Sequence, residues 1–110
     1  CVEAEIIVED IQKHIKNGNK IETSTPLAGP IRYYLLKKDL DEKILHWHHK
    51  GKDKGPLLNS NKVYIITRSG RNSLSSYGYN DSFSIIGFSK PRLWKEYQNT
   101  VKVYVIEKLL

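Results

Sequence analysis

The chain has 110 residues, a formal net charge of +6, 39% apolar residues and 27% charged residues. That suffices for one domain with a single modest core. It excludes a disulfide-built scaffold, since Cys1 is the sole cysteine, and no apolar run approaches the roughly 20 residues of a membrane span.

Residues 3–17 predict a helix. Ala4, Ile7, Val8, Ile11 and Ile15 fall at i, i+3, i+4, i+7 and i+11, one apolar stripe. Glu3, Glu5, Glu9 and Asp10 come early and Lys13, His14 and Lys16 late, which complements the helix dipole. Asn17-Gly18 is the stop signal. Residues 19–30, punctuated by Pro26 and Gly29-Pro30, read as a loop. Residues 31–49 allow a ragged helix or a hairpin. The hairpin is preferred, because Pro30 suits a strand entry, tyrosines favour strands and Asp39-Leu40-Asp41 is turn-like.

Residues 50–61 read as a basic loop. Residues 62–68, "KVYIITR", are the clearest strand, apolar on both faces and therefore central. A Gly/Ser/Asn-rich loop or loose hairpin follows over 69–82, then a strand over 83–88. After Pro91 the sequence suggests a helical turn or two. The last strand, within 100–110, puts Val101, Val103 and Val105 on one face and Lys102, Tyr104 and Ile106 on the other. The expected fold is α+β: an amino-terminal amphipathic helix packed on an antiparallel sheet of about four to five strands. Val63, Ile65, Ile85, Val103 and Val105 are its expected core. The whole is expected to be one domain over 1–110. Cys1 reads as a boundary, so the domain reads as the carboxy-terminal module of a longer protein.

The charge is unevenly spread. Residues 1–30 carry three Lys against five Asp/Glu, residues 31–54 seven basic against four acidic, and residues 55–110 eight against three. This points to an anionic partner facing the later two-thirds, although solubility alone would account for it. Within "ILHWHHKGKDKG", His46, His48 and His49 lie beside Lys50, Lys52 and Lys54. On a strand His46 and His48 share a face, a spacing that also suits metal. But a further ligand is lacking and the lysines repel a cation, so neither metal nor cofactor is expected. The plain reading is a polar strand end with Trp47 tucked into the core.

The sharper reading is acid–base chemistry on RNA. Metal-free cleavage needs a base for the 2′-hydroxyl, an acid for the leaving oxygen and cations for the phosphorane. His46, His48 and Lys50 supply these types, with Arg68 and Tyr79 as further catalytic candidates. Lys52, Lys54, Arg71 and Tyr77 are candidates for holding substrate, the arginines through phosphate and the tyrosines through base stacking. The "TRSGRNSLSSYGY" stretch also reads as a soluble hairpin tip. Trp94, in "SKPRLWKEY", reads as a core anchor rather than a stacking platform.

The order of elements, with "VEDIQKHIKNG" as the best local match over about a tenth of the chain, resembles the small ribonuclease toxin domains of the barnase, EndoU, colicin and RelE group. The resemblance implies a toxin domain acting on transfer RNA or another structured RNA. It also implies an acidic immunity protein as partner, and secretion or delivery into a target-cell cytoplasm. It assigns no residue. Two other readings stay open: a non-catalytic nucleic-acid-binding module and a protein-interaction domain.

Overall fold

The computed structural model describes residues 2–24, 26–47, 53–69, 73–80, 82 and 84–110. Helix α1 (Val2–Gln12) leads into strand β1 (Asn19–Thr23), helix α2 (Ala28–Lys37) and the short strand β2 (Leu45–Trp47). Strands β3 (Lys62–Thr67), β4 (Arg92–Glu96) and β5 (Lys102–Glu107) follow. The five strands form one sheet in the order β2-β1-β3-β5-β4. The α+β architecture, with the amino-terminal helix on the sheet, is as expected. The sheet is mixed, however, rather than antiparallel. β1 pairs in parallel with both β2 and β3, whereas β5 pairs antiparallel with β3 and β4.

The cause is α2, where the sequence favoured a hairpin. Ala28, Ile31 and Leu35 are fully buried at i, i+3 and i+7, a helical stripe that the tyrosines obscure. Pro30 sits in the first turn, where its missing N–H loses no intrahelical bond. Asp39, at φ 59°, takes the left-handed position after the helix. The Leu40 N–H reaches back to Leu35 O at 2.9 Å and the Asp39 N–H to Leu36 O at 3.1 Å, a Schellman cap with Asp in the place glycine usually holds. The supposed turn is therefore a helix end, and the helix carries the chain from β1 to a parallel β2.

Other boundaries shift for local reasons. α1 ends at Gln12, so Lys13, His14 and Lys16 lie beyond its last turn. Residues 19–23, expected as loop, form β1, an interior strand between β2 and the central β3. Residues 92–96, expected to turn helically, form β4. Among the described residues of the strand expected over 83–88, Phe88 makes an isolated bridge with Lys108. Trp47 is exposed rather than tucked in, while Trp94 is half-buried with its ring 5.2 Å from that of Tyr64.

The sheet separates two cores. On one face Ala4, Ile7, Val8 and Ile11 of α1 and the α2 stripe pack on Ile21, Tyr64, Ile66, Val101, Val103 and Val105. Each such aliphatic side chain contributes about 1.5–3 kcal/mol by leaving water. On the other face irregular segments replace helices: Leu57, Tyr77, Tyr79, Ile85 and Phe88 cover Val63, Ile65 and Ile106. All five expected core residues are buried.

The β4–β5 hairpin turns through Asn99 and Thr100 at φ 59° and 63°, the mirror-image turn that suits strand twist. Tyr97 N–H donates to Val101 O at 2.7 Å across it. The Asn99 amide holds the Glu3 carboxylate, tying the hairpin tip to α1. A β-branched residue at positive φ is strained by about 1–2 kcal/mol, and glycine is not. Thr100→Gly should therefore raise stability by about 1 kcal/mol and the Tm by several degrees. Thermal denaturation checks this, and a lowered Tm would contradict it.

Candidate functional site

Parallel pairing sends the ends of three strands to one edge of the sheet. Thr23 is in register with Trp47, and Glu22 with Ile65. The chain thus leaves β1 at Ser24, β2 at Trp47 and β3 at Arg68 along a common edge. α2 starts from this edge too, and it has no acidic residue in its first turn. The edges of parallel strands at their carboxyl ends are where open α/β sheets place ligands, at the point where connections diverge to either side. Here α2 leads from β1 to β2 across one face, and residues 53–61 return to β3 across the other.

His46 lies half-buried on β2, on the same side of the sheet as Glu22. Its Nε2 is 3.0 Å from Asp53 O. A carbonyl only accepts, so Nε2 carries the hydrogen and, in the neutral ring, Nδ1 is left as acceptor. Asp53 itself is set by an Asx turn, its Oδ1 accepting from Gly55 N–H at 2.8 Å. His48, Lys50, Lys52 and Arg71 lie outside the described residues.

Three further predicted residues meet around a group the sequence reading passed over. Glu22, on β1 between β2 and β3, has no solvent exposure. Its carboxylate accepts from the Lys54 ammonium and from the Tyr79 hydroxyl. Lys54 also sits 4.3 Å above the centre of the Tyr79 ring. Tyr77 is buried beside them, donating to Ile66 O at 2.8 Å with Ser24 Oγ 3.0 Å from its oxygen. Burial first, then the charge and hydrogen bond of Glu22, push the Tyr79 phenol far above its usual range; burial likewise raises Tyr77. Tyr77 and Tyr79, 1% and 2% exposed, are core residues and offer no face to a base. No local pattern marks Glu22, because its partners come 32 and 57 residues later.

Arg68 occupies a different setting. It is half-buried just past β3, lining a cavity of about 440 Å³ with the β4–β5 hairpin. Among the described residues, no cluster of three His, Cys, Asp or Glu could hold a metal, and no helix is long and apolar enough to cross a membrane. Compared with known proteins, the chain matches no family model, no curated protein and no solved structure.

The buried pair makes two expectations. Lys54→Ala strands a carboxylate without its counter-charge and should cost about 3–5 kcal/mol. Combining Glu22→Gln with Lys54→Met should recover much of that loss, as urea denaturation would show. Alkaline pH gives the second. The folded-state pKa of Tyr79 is raised, so its contribution is complete below the unfolded value near 10 and falls as pH climbs past it. Tyr79→Phe should flatten the loss of stability above about pH 10; an unchanged alkaline limb would contradict the assignment.

Proposed function

We propose that this domain binds RNA at the carboxyl edge of its parallel strands. One observation carries the reading. β2 with His46 and β3 followed by Arg68 end at the same edge, each just before a stretch that is basic in sequence, with the amino terminus of α2 beside them. Arg68 is a planar donor suited to phosphate there, and the net charge of +6 favours a polyanion. Recognition through tyrosines stacked on bases has no support, since Tyr77 and Tyr79 are buried.

A metal-independent ribonuclease is the second reading, favoured by His46. The Asp53 carbonyl fixes its ring and leaves Nδ1 as acceptor, the state a general base requires. Lys54 and Tyr79 are committed to Glu22, so the remaining catalytic work would fall to His48, Lys50 and Arg68. The toxin-like resemblance, with an acidic immunity protein as partner, belongs to this second reading.

Fluorescence anisotropy with a single-stranded RNA tests the first reading. Affinity should fall linearly with salt on logarithmic axes, and Lys50→Ala and Lys52→Ala should each reduce the slope by about one. No binding, or binding indifferent to salt, would overturn it. Incubation of the same RNA tests the second: His46→Ala or His48→Ala should slow cleavage by on the order of a hundredfold while leaving affinity intact. Absence of cleavage by the wild-type chain removes the ribonuclease and leaves the binder.

A further inference from the structure

The arginines of this chain are treated unequally. Arg32 pairs with Glu42, and Arg92 with Glu107 at 3.2 Å. Arg68 is half-buried, yet among the described residues it has no hydrogen-bond or ion-pair partner. At longer range it attracts the Glu3 carboxylate. A guanidinium with five donors is costly to keep partly buried without acceptors. It faces the cavity of about 440 Å³ together with Lys102, Ser69, Ser73, Thr100 and Glu96, a volume within the range of small-ligand sites.

The wall is chemically divided. Two cations can meet an anion, three hydroxyls can donate or accept, and Glu96 can accept from ligand hydroxyls but repels an anion. Thr100 reaches this wall in its strained left-handed conformation, with Oγ1 3.1 Å from Ser69 Oγ. Strain of this kind is tolerated where the surroundings hold it, and it is concentrated at binding sites. We propose that the cavity binds a phosphate monoester of a hydroxylated carbon skeleton, a sugar phosphate. Arg68 and Lys102 take the phosphate and Glu96 takes the sugar hydroxyls. The source is either a free sugar phosphate or the phosphorylated end of a nucleic acid. The proposal uses Arg68 in common with the RNA reading but does not depend on it.

Isothermal titration of the 110-residue chain with ribose 5-phosphate tests this, with ribose and inorganic phosphate as controls. Ribose 5-phosphate should bind, and ribose should not. Arg68→Ala should weaken binding at least about tenfold, the loss expected for one charge-assisted hydrogen bond. Arg68→Lys, which keeps the charge but loses the fork, should recover only part. Glu96→Gln should weaken ribose 5-phosphate while leaving inorganic phosphate equal or tighter. A 5′-phosphorylated RNA binding more tightly than its 5′-hydroxyl counterpart, with the difference lost in Arg68→Ala, would identify the nucleic-acid end as source. Equal affinity of the two RNAs, with ribose 5-phosphate bound, would identify the free sugar phosphate. No binding of ribose 5-phosphate overturns the proposal even if RNA binds. Affinity unchanged in Arg68→Ala, with the circular dichroism of a folded chain, overturns it as well.

Discussion

A carboxylate with no access to water sits on an interior strand of the sheet, and the arrangement of the second face follows from satisfying it. An ionised carboxylate buried alone costs several kcal/mol or more. Glu22 escapes that cost because two segments far along the chain reach the same group. Lys54 comes from the return between β2 and β3, and Tyr79 from the stretch between β3 and β4. Both segments are irregular, and neither would cover a sheet as a helix does. Their common anchor holds them flat, while Leu57, Tyr77 and Ile85 complete an apolar layer around it. One face of the sheet is therefore closed by helices and the other by a polar pin with an apolar collar.

That arrangement also decides what stands at the carboxyl edge. The pin engages Lys54 and Tyr79, and Tyr77 is buried beside them. His46 and Arg68 are left where strands end, the first oriented by a backbone carbonyl and the second, with no partner among the described residues, beside a cavity.

What the sequence disclosed depended on how far apart the cause and its effect lay. The α1 stripe, the two-sided β3 and the alternating β5 are local patterns, and they were legible. β1 was not, because Asn19, Glu22 and Thr23 look like loop residues until their distant partners are known. Thr23, for instance, donates to Ile66 O 43 residues away. α2 was misread because Pro30 and the Tyr33-Tyr34 pair carry strand associations, while the decisive Ala28-Ile31-Leu35 stripe is only three residues deep. For the site, residue types pointed to His46, Lys54, Tyr79 and Arg68. Pairing and burial, which tell a core group from an accessible one, are non-local and could not be read.

The meeting of α1 with the final strands bears on how the chain acquires its structure. The apolar stripe of α1 is covered by Val101, Val103 and Val105, and Glu3 is held by Asn99, 96 residues away. Contacts of such long sequence separation require closing large loops before they stabilise anything, which slows folding. During synthesis α1 is made well before this part of its cover. Its isoleucines and valine therefore meet Ile21, Ile31 and Leu35 early and gain Val101, Val103 and Val105 only when the last strand is made. The β4–β5 hairpin thus closes over a helix made some ninety residues earlier, and the Glu3–Asn99 contact ties the two together.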